Sequence, residues 1–177
     1  MASKSKGLLK TGGAAAAVAV AAVAVLVFYG DAVLGRLKAD GYLPYTAEEA
    51  QVLAYDLCSQ CHSTEKITKY CSRCGPPIIV VVHNMKTITR LDQGRGKRVE
   101  NMTDAQAVAI AQVWNALVGN WEDTWRRKDI VKLLEGDEAL LELLDTPPDS
   151  RPIESALREK TAPGAYKEVQ GAPPSSR

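Results

Sequence analysis

Apolar residues recur at the spacing of an α-helix in four stretches of this chain. Two of these stretches open with a capping box, TAEE at residues 46–49 and TDAQ at residues 103–106. In such a box the threonine and the acidic or amide side chain bond each other's backbone N–H groups at the start of a helix. The helix that begins after Thr46 should end near Cys58, and the helix that begins after Thr103 should end near Gly119. These patterns predict an all-α fold.

The apolar stretch that begins at Ile78 can be read in two ways. The β-branched run at residues 78–82 would suit a strand. The preceding Gly-Pro-Pro presets the backbone for a helix start, and apolar positions continue at helical spacing to Met85 and Ile88. A helix is therefore the better interpretation. A fourth amphipathic helix is expected at about residues 122–144, with a weak point at Gly136.

The N-terminal segment has the pattern of a membrane-spanning helix. Lys4, Lys6 and Lys10 precede an uncharged run at residues 11–29, which would cover roughly 28 Å as a helix. The positive-inside rule would keep these lysines cytoplasmic. A cleaved signal peptide is the alternative. We therefore expect a single-pass protein of the inner (cytoplasmic) membrane, with its folded domain on the periplasmic, extracytoplasmic side.

The patterns divide the chain of 177 residues into six parts. The last part holds six of the nine prolines and few apolar residues, so we predict that it is disordered. The net charge of +1 argues against nucleic-acid binding. The parts are a cytoplasmic basic head (1–10), a transmembrane anchor (11–29), a juxtamembrane linker (30–44), a helical domain (45–120), an extra amphipathic helix (121–145) and a proline-rich tail (146–177).

Cys58, Cys61 and His62 form the pattern C-x-x-C-H, the spacing at which haem becomes covalently attached. The two thiols would form thioethers with the vinyl groups of one porphyrin, and the histidine would be the proximal iron ligand. A second pair, Cys71 and Cys74, has no histidine after it and could close a disulfide in an oxidising compartment. The motif predicts one covalently attached haem c.

Together with this motif, the order of helices resembles that of small monohaem cytochromes c of class I type, over roughly residues 45–119. The shared pattern is a capped helix that runs into C-x-x-C-H, a valine-rich helix that ends in methionine, a loop and a capped last helix. In such relatives the methionine of V-V-x-x-M supplies the distal iron ligand, and residues 81–85 here read VVHNM. The resemblance implies a cytochrome c-like domain with Met85 as distal ligand.

Met102 and His83 are the alternatives to Met85 as sixth ligand. Met85 shares the apolar side of its helix with Ile78, whereas His83 lies about 200° around that helix and is expected to be a surface imidazole. Met102 precedes the cap residue Thr103, where an apolar side chain often packs as a staple. We predict that Met85 is the distal ligand.

Two other functions are compatible with the sequence. The spacing C-x2-C-x9-C-x2-C from Cys58 to Cys74 would suit a four-thiolate zinc ribbon, acting as an interaction module on a single membrane span. The second alternative is a haem-based sensor in which the sixth coordination position of the iron is open. The capped helix that runs into Cys58 favours haem over zinc, because a ribbon knuckle usually follows a strand.

We therefore expect a membrane-anchored cytochrome c that carries single electrons within or beside a larger membrane redox complex. Filled axial positions leave no place for substrate, so it would not be an enzyme, although it could be a non-catalytic subunit of one. An acidic redox partner could dock on the basic residues around the haem motif. These are Lys66, Lys69, Arg73, Lys86, Arg90, Arg95, Lys97 and Arg98.

Overall fold

The computed structural model describes residues 29–69 and 75–162. These ranges contain helices and no β-strand, so the prediction of an all-α fold is confirmed. The helix α1 is described from residue 29 to residue 39. The other α-helices are α2 (Ala47–Ser59), α3 (Glu65–Thr68), α4 (Ile78–Gly94), α5 (Asp104–Val118), α6 (Arg127–Leu133), α7 (Glu138–Asp145) and α8 (Pro152–Leu157), and Glu122–Thr124 and Pro148–Ser150 are 3₁₀ helices.

Helix α5 forms the centre of the fold. Helices α2, α3, α4, α7 and α8 all pack against it. Ten of its fifteen residues are buried and lie on all sides of the helix, as expected of a helix that is surrounded by others. The predicted capping box at Thr103 is present, and Gly119 ends the helix with a φ of 111°, which a residue with a Cβ rarely adopts.

Helix α2 positions the C-x-x-C-H motif relative to α5. The capping box at Thr46 is formed, and the buried side of the helix includes Ala50 and Ala54. The facing helix α5 buries Ala107 and Ala111, and small residues of this kind allow two helix axes to approach closely. Helix α2 ends one residue after Cys58, as predicted, so the motif spans the end of this helix and the turn that follows it.

Helix α4 confirms the helical interpretation of the valine-rich stretch, but its buried stripe differs from the predicted one. The predicted stripe included Met85 and Ile88. In the structure Ile79, Val82 and Lys86 are buried, and Ile88 is 44% exposed. The apolar pattern could not show this, because one of the buried residues is a lysine that depends on a distant carboxylate.

The single helix predicted at residues 122–144 is three shorter elements. They are the 3₁₀ helix Glu122–Thr124, α6 and α7. Gly136, at the predicted weak point, has a φ of 84° and breaks the helical conformation between α6 and α7. The side chain of Asp137 then caps α7 by accepting a hydrogen bond from the Leu140 N–H at 3.4 Å.

The prediction of a disordered tail is wrong for residues 146–162. Helix α8 packs against α5 and α2, and it buries Ile153 and Leu157. Proline is well suited to the first turn of a helix, which is where Pro152 lies. Residues 163–177 are outside the described ranges.

Residues 30–44, which we predicted to be a linker, include residues 30–39 of α1 and the turn that follows it. The Thr103 hydroxyl donates a hydrogen bond to the Ala39 carbonyl at 2.6 Å and ties this segment to the start of α5.

The predicted membrane anchor and the location derived from it require correction. Within the ranges that the structure describes, no helix is both long and apolar enough to cross a membrane. The described part of α1 carries Asp31, Arg36 and Lys38, which follow the predicted anchor. Residues 1–28, with most of the predicted anchor, lie outside the described residues. We therefore withdraw the single-pass inner-membrane location with a periplasmic domain.

Candidate functional site

The three residues of the C-x-x-C-H motif lie close together along the chain at the end of α2. Cys58 is half-buried, Cys61 is exposed, and both are free thiols. His62 is half-buried on the turn that leads to α3. The structure therefore presents one inward-facing thiol, one accessible thiol and an imidazole on a single turn.

Cys58 lies beside an aromatic pair at the contact between α2 and α5. The rings of Tyr55 and Trp114 have their centroids 5.1 Å apart and are tilted by 56°. Burial raises the pKa of the Cys58 thiol, and the nearby Trp114 N–H opposes this rise to a smaller extent. A thiol of raised pKa stays protonated at neutral pH and reacts slowly with general oxidants.

His62 is oriented by its neighbour in the chain. Its Nδ1 atom lies 3.0 Å from the carbonyl oxygen of Ser63. A carbonyl can only accept a hydrogen bond, so Nδ1 carries the proton and Nε2 has a lone pair for a metal. Metal-binding histidines commonly have their second ring nitrogen fixed by an oxygen in this way.

The two methionine candidates have different surroundings. Met85 is half-buried on α4, on the same strip as the half-buried Val81 and the exposed Ile88. Met102 is only 7% exposed and lies in the loop before α5, where it joins the apolar core. Met85 therefore lies on a partly open apolar strip, whereas Met102 is already covered by protein.

His83 differs from the surface imidazole that we expected. Its Nδ1 atom lies 3.0 Å from Oδ2 of Asp137, which also accepts a hydrogen bond from Lys86 Nζ at 2.9 Å. Lys86 Nζ also lies 2.6 Å from Oδ1 of Asp104. Burial alone would raise the pKa of Asp137, but the hydrogen bonds from His83 and Lys86 outweigh it and hold that pKa below its ordinary value. The one signal that could have indicated Asp137 is that an acidic residue stands in the N-cap position before an apolar run.

Several residues of the predicted basic face are buried or paired with a carboxylate in the structure. Lys86 is buried in the cluster with Asp137 and does not belong to that face. Lys69 pairs with Glu65 on the surface, Arg95 and Lys97 pair with Asp92, and Arg73 lies outside the described residues. The residues of this set that are exposed and have no ion pair among the described residues are Lys66, Arg90 and Arg98.

No group of three or more His, Cys, Asp or Glu side chains that could hold a metal ion occurs within residues 29–69 and 75–162. Cys71 and Cys74 lie outside those ranges, so the four-thiolate zinc site and the disulfide stay predictions. Haem attachment through C-x-x-C-H requires no such group, because the porphyrin supplies four of the iron ligands itself.

Comparisons with protein families, with curated proteins and with solved structures found no match for this chain. A functional assignment therefore depends on the residues described above.

Proposed function

We propose that this protein is a monohaem c-type cytochrome that carries single electrons. Cys58 and Cys61 would hold the haem through thioethers, and Nε2 of His62 would bind the iron. The proposal rests on the position of the C-x-x-C-H motif in the fold and on the surroundings of its side chains. It lies at the end of a helix packed on the core, with both thiols free and Nδ1 of His62 already bonded to a backbone oxygen.

Two apolar features of the structure, one at the motif and one on α4, would suit a large apolar group. Cys58 is next to the Trp114 indole in the contact between α2 and α5, which is an apolar environment. On α4, which packs on the same helix α5, the side chains of Met85 and Val81 are only half covered by protein, and Leu91 and Ile88 are exposed. An apolar strip of this kind is typical of a surface that contacts another apolar group.

Met85 is the distal ligand in this proposal. Met85 is only partly covered by protein, whereas Met102 is packed in the core. Haem supplies one-electron redox chemistry, and a thioether ligand shifts the potential upwards. With His62 and Met85 both bound to iron, the chain would leave no coordination position for a substrate, so electron transfer is proposed rather than catalysis.

Docking of an acidic redox partner remains part of the proposal, on a smaller face than the sequence predicted. The cations that would attract this partner are Lys66, Arg90 and Arg98. Attraction between such exposed charges is screened by salt, so the rate of electron exchange with the partner should fall as ionic strength rises.

The test uses the full chain, produced together with a haem-attachment system, with one portion denatured for the haem assay and another kept native for its visible spectrum. We expect one covalently bound haem per chain in a pyridine haemochrome assay, and sharp α and β bands in the reduced native protein. A colourless protein that contains zinc would contradict the proposal. Broad bands of a five-coordinate iron would indicate a sensor instead of an electron carrier.

A further inference from the structure

The indole N–H of Trp114 is a buried donor on the central helix α5. Trp114 is 1% exposed, and within the part of the chain that the structure describes its Nε1 atom has no partner at ordinary hydrogen-bonding geometry. A buried donor without an acceptor is costly, so a group of this kind in a folded protein calls for an explanation. A weaker acceptor than oxygen or nitrogen, close to the indole, would supply one.

The Cys58 sulfur is such an acceptor. The ring of Trp114 contacts that of Tyr55 with 5.1 Å between centroids, and Tyr55 lies three residues before Cys58, on nearly the same side of α2. Tyr55 and Cys58 both pack against the apolar core. Burial raises the pKa of the Cys58 thiol, and a side-chain contact from the Trp114 N–H partly offsets that rise. The indole N–H therefore lies beside the sulfur.

The chemistry of the two groups defines the direction of their interaction. An indole nitrogen can only donate a hydrogen bond, and a cysteine sulfur is a weak acceptor. The bond becomes stronger when the acceptor carries a negative charge, so the N–H favours the thiolate over the thiol. The thiolate is the form of cysteine that reacts as a nucleophile.

We propose that Trp114 is a positioning residue for Cys58, whose sulfur it holds in the contact between α2 and α5 through an N–H···S hydrogen bond. The bond itself requires no haem. Its consequence for electron transfer rests on the proposed function, in which this sulfur becomes a thioether of the haem. An N–H donor on that sulfur would draw electron density away from the porphyrin, so Trp114 would raise the reduction potential.

The first experiment follows the indole N–H signals of the haem-free full chain by NMR spectroscopy. Cys58→Ala removes the acceptor, so the Trp114 signal should move upfield. The matched control Cys61→Ala removes the exposed thiol of the same motif and should leave that signal in place. An unchanged or downfield-shifted signal in Cys58→Ala, or an equal shift in both variants, would overturn the proposal.

The second experiment measures how fast iodoacetamide alkylates Cys58 in the haem-free chain, by tandem mass spectrometry. Trp114→Phe keeps an aromatic ring but removes the N–H, so alkylation should slow about three- to tenfold. The control Tyr55→Phe removes a buried hydroxyl from the same aromatic pair and should leave the rate unchanged. Faster alkylation in a folded Trp114→Phe would mean that Trp114 only covers the thiol, and would refute the hydrogen bond.

Circular dichroism checks that both ring variants fold, and the NMR comparison decides the question if Trp114→Phe does not. In the haem-bound protein, Trp114→Phe should lower the reduction potential and Tyr55→Phe should not. An unchanged potential in Trp114→Phe would overturn the role of Trp114 towards the thioether. A chain that takes up no haem would contradict the proposed function instead, and the two haem-free experiments would still decide whether the bond exists.

Discussion

Nδ1 of His83 lies 3.0 Å from Oδ2 of Asp137, a residue 54 positions further along the chain. Lys86, one helical turn after His83, reaches the same carboxylate oxygen at 2.9 Å. Asp137 also caps α7, so a single carboxylate fixes α4 to the start of α7. Removal of one member of a buried charge pair leaves the other charge without compensation, which is far more costly than loss of a surface pair.

Asp137→Asn should therefore lower the free energy of unfolding by about 3 kcal/mol. The matched control is Asp104→Asn, because Asp104 also pairs with Lys86 but has an exposed side chain. The control should cost less than about 1 kcal/mol. Urea denaturation followed by circular dichroism measures both, and equal costs would show that Lys86 does not depend on Asp137.

The stabilisation by Asp137 should depend on pH in a defined direction. Its pKa is lowered in the folded state, so its contribution is present above the unfolded value of about 3.9 and is lost as pH falls through the folded value. The difference in unfolding free energy between wild type and Asp137→Asn should thus be present at about pH 5 and shrink below about pH 4. A difference that grows in acid would contradict this assignment.

Cys58→Ala and Cys61→Ala should each cripple stable haem incorporation, because each removes one thioether. Cys71→Ala should leave haem bound. Covalent haem is measured by mass spectrometry of the denatured chain. If Cys71→Ala lost haem as completely as Cys61→Ala, a shared four-thiolate site would explain the cysteines better.

Met85→His should keep a six-coordinate haem but lower its reduction potential, because imidazole replaces a thioether. Met85→Ala should open the sixth position to added ligands such as imidazole. The control Met102→Ala should leave the potential nearly unchanged and cost about 2 kcal/mol of stability, since Met102 is packed in the core. Potentiometry with optical detection separates these outcomes, and the reverse pattern would assign Met102 as the ligand.

Leu157→Ala should destabilise the fold by about 2–4 kcal/mol, because the side chain of Leu157 is fully buried in α8. Leu133→Ala removes the same atoms from a side chain that is 45% exposed, and it should cost less than about half as much. Thermal and urea unfolding check the pair. Similar costs would show that α8 is not firmly packed on α5.

The local signals in the sequence located the helix starts and ends well. Thr46 and Thr103 form the predicted capping boxes, Gly119 ends α5 as expected, and Gly136 lies between two helices at the predicted weak point. These features depend on neighbours within four residues, so the sequence contains all the information they need.

Features that depend on distant partners were not predictable in this way. Lys86 is buried because Asp137 is present, and Arg151 is buried because Glu122 and Glu154 surround it. A pattern of polar and apolar positions assigns both cations to the surface. For the same reason the pattern predicted a disordered tail where α8 lies, because the buried Arg151 and Glu154 count as polar residues. For the motif, spacing alone predicted Cys58 and His62 as haem-binding residues, but it could not show the Ser63 carbonyl that orients the imidazole.

The central place of α5 has a consequence for the order of events during synthesis. Helices α2 and α4 are made before the helix on which they pack, and α5 in turn is enclosed only after Leu157 has been made. The cysteines of the motif therefore emerge from the ribosome well before any core can close over Cys58. Both thiols would therefore be accessible for haem attachment while the chain is still being synthesised. Helix α8, which is made last, would then cover the core.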